Sequence, residues 1–223
     1  DQLLESAPFE SSYFHTTGNT AWRVRNYANM YRGLVTLCDA FKYSDNTAFA
    51  RLMEMLDTHR VFSVFKDFGL CDKGQGLPAI VLGGLRDGVS LLSLAAAYRA
   101  IANGAAYTYP RIVQYAEFTD GSFLSFPRSQ ERLLVNDYRV VRDLQFALRC
   151  AGPSIRGAKH AGKSGTTSAG SLLAAYNDQI ASVIWVGYGR PMAEGDPKAI
   201  DATSTFERFM NVLLGHKSDL LSI

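Results

Sequence analysis

Histidine and cysteine are scarce in this chain, and no charge of one sign dominates. These shortages exclude whole classes of function. Three cysteines (Cys38, Cys71 and Cys150) occur in 223 residues. They are widely spaced and odd in number, so neither a disulfide framework nor a zinc-binding spacing is visible, and each is expected to be a small core or surface residue. Four histidines (His15, His59, His160 and His216) share no ligand spacing, so no metal and no other cofactor is expected, and His160 is expected at a surface strand position. Acidic residues are dispersed without a pair suited to acid/base work. The net charge is +2, which gives no reason to expect nucleic acid or an anionic membrane as a partner. No apolar run reaches the ~18 residues of a membrane span, so neither a spanning helix nor a signal peptide is expected in these residues.

What is present is ordinary globular composition, 47% hydrophobic and 20% charged, in a length that suits one large domain. Such a chain buries roughly 70% of its unfolded surface. It opens on Asp-Gln-Leu-Leu-Glu without an initiator Met, as an internal piece of a longer protein does.

Local signals divide the chain into a helical part and a sheet part. Residues 1–33 lack a helical period and are expected to form an extended, loop-rich lead-in whose aromatics pack against helices. Thr36, with Asp39 three residues on, forms a near capping box for a short helix that ends at Tyr43-Ser44-Asp45-Asn46. Helices are expected over Thr47–Leu56, from Thr58 to a stop at Gly69, and over Leu91–Ala102 after a Ser90 cap. Asp120-Gly121 predicts a type I′ hairpin between Arg111–Phe118 and Ser122–Phe126. Asn136 is the expected cap of a helix running to Cys150. Lys159–Thr167, Ser171–Tyr176 and Ile180–Tyr188 then form an antiparallel meander, and Thr203–Leu214 a last helix. Helices first and a compact sheet after them predict an α+β fold, an antiparallel sheet packed against helices with a mostly helical subdomain. The whole of 1–223 is expected to be one domain, helical over about 34–104, with the sheet and terminal helix over about 157–215.

Two short stretches carry the chemistry. Ser44-Asp45-Asn46 and Lys163-Ser164-Gly165-Thr166-Thr167 together supply hydroxyls, an amide and an ammonium, the groups that serine acyl transfer needs around its nucleophile. Ser44 can accept and donate a proton, and Lys163 can orient that hydroxyl and favour anionic states nearby. Asn46 suits a substrate peptide group, Ser164 and Thr166 a substrate carboxylate. Gly165 allows close approach to the strand, and the Thr166 N–H is a candidate oxyanion donor. These are the second and third elements of the Ser-x-x-Lys, Ser-Asp-Asn, Lys-Thr-Gly set. No Ser-x-x-Lys precedes Ser44. Ser63-Val64-Phe65-Lys66 matches the pattern but follows the second motif and is expected to be plain amphipathic helix.

The surroundings strengthen both motifs. Arg25-Asn26-Tyr27, Arg32-Gly33-Leu34-Val35-Thr36-Leu37, Leu82-Gly83-Gly84-Leu85, Gly88-Val89-Ser90-Leu91-Leu92, Ala102-Asn103-Gly104 and Ile184-Trp185-Val186-Gly187-Tyr188 accompany them. With these runs the chain resembles the transpeptidase domain of class A penicillin-binding proteins over nearly its whole length. The resemblance implies a serine D,D-transpeptidase of the bacterial cell envelope, acting on the periplasmic side. Its partners would be peptidoglycan stem peptides and β-lactams, with membrane attachment only through an N-terminal anchor outside this chain. It gives Ser44 and Lys163 catalytic roles and Asn46, Ser164, Gly165 and Thr166 substrate contacts. It also implies that the nucleophile lies upstream and that this chain alone is inert. Gly170-Ser171-Leu172-Leu173 replaces the Asp-Ala-Trp-Phe common after the third motif, which leaves substrate preference open.

Three rivals remain at this point. Gly157-Ala158-Lys159-His160-Ala161-Gly162-Lys163-Ser164 spells a phosphate loop, but such a loop must leave a strand and open a helix. A transpeptidase-like fold can also serve as a non-catalytic binding or scaffold module. A class A β-lactamase uses the same two motifs, without the Leu-Gly-Gly-Leu and Ala-Asn-Gly stretches.

Overall fold

The computed structural model describes residues 3–15, 20–71, 78–85, 88–155, 158–167, 169–189 and 201–215. Gly157 and His216, weighed above, lie outside them. In chain order the elements begin β1 (Leu4–Ser6), β2 (Phe9–His15), β3 (Ala21–Val24), a 3-10 turn at Tyr27–Asn29, and β4 (Gly33–Val35). Helices α1 (Leu37–Tyr43), α2 (Asn46–Glu54) and α3 (Thr58–Asp67) follow, then a 3-10 turn at Pro78–Leu82 and α4 (Leu91–Ala102). Four short strands, β5 (Ala106–Tyr107), β6 (Tyr115–Glu117), β7 (Phe123–Ser125) and β8 (Arg132–Leu133), lead to α5 (Tyr138–Ala151). The chain closes with β9 (Ser154–Ile155), β10 (Ala158–Lys159), β11 (Ala161–Thr166), β12 (Gly170–Tyr176), β13 (Ala181–Gly187) and α6 (Ala202–Gly215).

The expected meander is the largest sheet, antiparallel in the order β11-β12-β13. Its middle strand is apolar nearly throughout because both of its faces are covered. Leu173 and Ala175 point toward Ala202, Phe206 and Met210, which recur every four residues along one stripe of α6. Tyr176 and Ala161 sit on the opposite face among Leu144 and Leu148 of α5 and Tyr98 and Ile101 of α4. Helices on an antiparallel sheet make this an α+β fold.

Local capping chemistry sets the helix limits. Thr36 Oγ1 accepts from the Asp39 N–H at 3.1 Å, and Ser90 Oγ accepts from the Ser93 N–H at 3.0 Å. After α3, Gly69 takes the left-handed conformation (φ 71°), with Leu70 N–H on Phe65 O and Gly69 N–H on Lys66 O, both at 2.9 Å. This is the Schellman stop that glycine makes cheap.

Five expectations need correction. The helix after residue 136 is capped by Asp137, whose carboxylate accepts from the Arg139 N–H, and not by Asn136. The hairpin turn at Asp120-Gly121 is not type I′, because only Gly121 has positive φ (81°). Bonds from Gly121 N–H to Phe118 O and from Phe118 N–H to Ser122 O instead close a three-residue loop.

The lead-in holds β1, β2 and β3 rather than loop alone. Its alternation was masked because β1 buries the polar Ser6 beside Leu4, and the β2–β3 register shifts between Glu10 and His15. Its aromatics divide. Phe9 packs edge-on against Trp22 at 6.0 Å, while Tyr13 and Tyr27 are exposed. His160, expected at a surface strand position, is buried edge-on against Phe206 of α6.

The cysteine expectation fails most instructively. Cys38 of α1 and Cys150 of α5 form a disulfide, Cα to Cα 5.8 Å, across 112 residues. Sequence spacing cannot reveal a bridge fixed by the packing of two distant helices, and Cys71, outside the bridge, makes the count odd.

Candidate active site

The site starts from the junction of α1 and α2. Ser44 ends α1 in the left-handed conformation (φ 52°, ψ 50°), its N–H turned back on Ala40 O and Phe41 O. A residue with a Cβ pays for this conformation, and such residues cluster where function fixes the backbone. The next residue, Asp45, is 1% exposed and caps α2, its Oδ1 accepting from the Ala48 N–H at 3.0 Å and from Thr47 Oγ1 at 2.9 Å. Its other oxygen accepts from the Ser6 hydroxyl. Burial alone would raise the Asp45 pKa. Hydrogen bonds from Ser6, Ala48, Asn26 and Thr47 outweigh that and hold it below the ordinary carboxylate value.

A wider brace surrounds this carboxylate. Asn26 donates to Ser6 Oγ (3.3 Å) and Met30 O (3.0 Å) and accepts from the Thr47 N–H (3.1 Å). The Arg32 N–H adds a bond to Ser6 Oγ at 3.0 Å. Three chain segments are thereby locked to the turn that carries Ser44 and Asn46. Asn46 itself donates from Nδ2 to Arg25 O at 3.1 Å, which orients the amide and leaves Oδ1 without a hydrogen bond among the described residues.

Lys163 arrives from the sheet. In β11 it pairs with Ala174 and shares a face with Ala161, the face on which α5 lies. The Cys38–Cys150 bridge ties α1 to α5, so the end of α1 is held over this face. There the Lys163 ammonium donates to Ser44 Oγ, across 119 residues, and to its neighbour Ser164 O at 2.7 Å. Burial lowers the Lys163 pKa below its ordinary value. A hydroxyl that accepts from Lys163 keeps its own proton to donate, and an amine with a lowered pKa surrenders its proton more readily.

Ser164, Gly165 and Thr166 are exposed on β11, which is an edge strand. Their register partners are Leu173, Leu172 and Ser171, so alternation places Ser164 and Thr166 on the face opposite Lys163. The structure therefore brings Ser44 and Lys163 together, orients Asn46 beside them in sequence, and leaves the other three along an open edge. A β-carbon added at Gly165 would meet nothing within 4 Å.

Lys163-Ser164 lies within a strand that turns into another strand, whereas a phosphate loop opens a helix. Ser63 and Lys66 are exposed on α3 and, among the described residues, share no hydrogen bond with Ser44 or Lys163. Asp45, Ser6 and Asn26 were passed over in sequence. The available signal was Asp45 at an N-cap position immediately before α2.

Comparison with known proteins supplies the family. The model of the penicillin binding protein transpeptidase domain matches residues 8–191. Penicillin-binding protein 1F of Bacillus subtilis is 29% identical over 180 residues, covering 74% of this chain and 25% of that protein. Penicillin-binding protein 1A of Aquifex aeolicus is 29% identical over 184 residues, covering 79% of this chain and 25% of that one. The chain thus spans about a quarter of the length of these relatives. The structure of the PonA1 protein from Mycobacterium tuberculosis in complex with penicillin V superposes with a TM-score of 0.77 at 20% identity, covering 96% of this chain and 63% of that one. With the Ser44–Lys163 contact and the α+β fold beside it, the family match over 8–191 leads to one conclusion: this chain belongs to the transpeptidase domain family of the penicillin-binding proteins.

Proposed function

We propose that this chain is the larger, C-terminal part of a class A serine D,D-transpeptidase domain that cross-links peptidoglycan stem peptides and is acylated by β-lactams. The observation that carries the reading is the Lys163 ammonium on the Ser44 hydroxyl, contributed by two motifs far apart in sequence. A serine nucleophile from an upstream segment attacks the substrate carbonyl, passing its hydroxyl proton to a base of that same segment, and the carbonyl carbon–nitrogen bond breaks. The departing amine takes the Ser44 proton, which Lys163 replaces; an acceptor amine reverses these transfers when it attacks the acyl-enzyme. Asn46 holds a substrate peptide group, Ser164 and Thr166 a carboxylate, and the bare edge at Gly165 admits the ligand backbone. Residues of about 34–104 form the helical wall of the cleft, and about 157–215 the sheet wall. The Cys38–Cys150 bridge supports a location outside the cytoplasm, on the periplasmic face, where disulfides persist.

Intact-mass spectrometry after incubation with a penicillin tests the reading, on this chain and on a version extended upstream in its native gene. One adduct on the extended version only is the expected result. An adduct on the short chain would place the nucleophile within it and return Ser63 to consideration. No adduct on either would overturn the proposal in favour of a non-catalytic binding module.

A further inference from the structure

Away from Ser44 and Lys163 lies a cavity of about 390 Å³, lined along one side by α4. Leu92, Ala95, Ala96 and Arg99 face it at i, i+3, i+4 and i+7, one stripe of the helix. The two alanines make room, and Arg99 reaches across to Thr108 Oγ1 at 2.6 Å. The opposite walls are Tyr109, Arg111 and Arg128, with Ala181 at the start of β13.

These walls are braced. The Tyr109 N–H donates to Ser129 Oγ at 2.8 Å, tying the segment of Arg111 to that of Arg128. Arg111 Nη1 donates to Phe126 O at 2.5 Å, and the Tyr109 ring stands edge-on to Tyr107 at 5.5 Å.

Three guanidinium groups therefore share one cavity. Among the described residues no Asp or Glu lines it, and none of the three forms an ion pair. Each guanidinium has five donor hydrogens; the bonds to Thr108 and Phe126 use one from Arg99 and one from Arg111. Arginine forks match the oxygens of phosphate and carboxylate groups, and the cavity lies in the size range of small-molecule sites. We propose that this cavity binds a multiply charged oxyanion, phosphate or clustered carboxylate, borne on a short apolar stem that lies on Leu92, Ala95 and Ala96. The site is separate from the transpeptidase site, and the proposal does not rest on that reading.

Titration calorimetry of the 223-residue chain in low salt tests it, with inorganic pyrophosphate as the phosphate probe and citrate as the carboxylate probe. At least one should bind one-to-one and weaken as salt is added. Arg99→Gln and Arg128→Gln should each weaken binding about tenfold, the scale of one lost charge-assisted contact, while Arg60→Gln on α3 leaves it unchanged. Arg128→Gln breaks no hydrogen bond seen among the described residues, so it tests the site even where Arg99→Gln perturbs Thr108. Pyrophosphate binding alone assigns a phosphate ligand, and citrate binding alone a carboxylate. Binding of both assigns the shared oxyanion chemistry. Saturation by neither, or binding indifferent to both arginine variants, would overturn the proposal.

Discussion

The two motifs of the candidate site are built in opposite ways. Ser44-Asp45-Asn46 sits on a junction held by a buried carboxylate, a hydroxyl and an amide drawn from three segments. Lys163-Ser164-Gly165-Thr166 lies on an edge strand whose residues become more exposed toward Thr166. In the proposed reading the rigid side contributes the hydroxyl that must be aimed, and the open side the charge and the backbone a ligand must reach. Within the rigid motif the middle residue faces inward. Asp45 touches no substrate in the proposed reading; it positions the residues on either side of it.

Removing the charge from the open side should have the largest effect. On the extended protein, Lys163→Ala is expected to slow penicillin acylation about 10²–10⁴-fold, the range of a lost proton-transfer group, measured by time-resolved intact mass. Lys163 should not be a stabilising charge, because its burial lowers its pKa. Below the folded-state value both states are protonated, and the native state bears the cost of the buried ammonium. Between that value and the ordinary 10.5 the unfolded chain holds a proton the folded one has lost, so stability rises with pH across this window. Lys163→Met should flatten that rise in urea denaturation series. A rise that persists in the variant would mean another group causes it.

The link between the two sides should come next. Opening the Cys38–Cys150 bridge with the double substitution Cys38→Ser, Cys150→Ser frees a loop of 112 residues in the unfolded chain and should cost about 2–5 kcal/mol. Because α1 carries Ser44 and α5 lies on the Lys163 strand, acylation should also slow beyond what the remaining folded fraction explains. Full acylation per folded molecule would show that packing alone holds the two sides together.

Asp45→Ala probes the brace itself. It removes a helix cap and strands the Ser6 and Thr47 hydroxyls, for an expected loss of about 2–4 kcal/mol in urea. Asp45→Asn retains an acceptor and should lose less. The Asp45 pKa is held below 3.8, so its contribution is present above that value and disappears as pH falls through the folded-state value. Equal losses for the two variants would show that charge, not the cap acceptor, is what the junction needs.

The contrast between the two regions also explains what the sequence could disclose. Features fixed by neighbours in the chain were legible: the Thr36 and Ser90 caps, the Gly69 stop, the three-strand meander, and the polar break at Ser44-Asp45-Asn46. Features fixed by partners far along the chain were not. The Ser6–Asn26–Asp45 network spans 39 residues between Ser6 and Asp45, and the disulfide spans 112. Ser44 and Lys163 were legible as chemistry because their residue types suit one reaction. Their contact was not, since it depends on α5 carrying α1 over the sheet. The cavity beside Arg99 was illegible for the same reason: its three arginines come from separate segments brought together by the Arg99–Thr108, Arg111–Phe126 and Tyr109–Ser129 bonds.

The smallest expected effect is the one that separates the regions most cleanly, and it uses two glycines of one strand. At Gly162 an added β-carbon would lie 2.5 Å from Ala174 O and 2.6 Å from the Ala175 side chain, so Gly162→Ala should cost about 1–3 kcal/mol, as overpacking does. At Gly165 the same carbon meets nothing, and the backbone is not in the left-handed region. The fold therefore has no need of glycine there, and Gly165→Ala should stabilise the strand by about 0.5–1 kcal/mol by restricting the unfolded chain. If the edge is bare because a ligand must approach it, the stabilised variant should nevertheless acylate several-fold more slowly on the extended protein. Slower reaction in a more stable protein cannot come from damage to the fold. A Gly165→Ala variant that is more stable and equally fast would instead show that the ligand does not approach β11 at this residue.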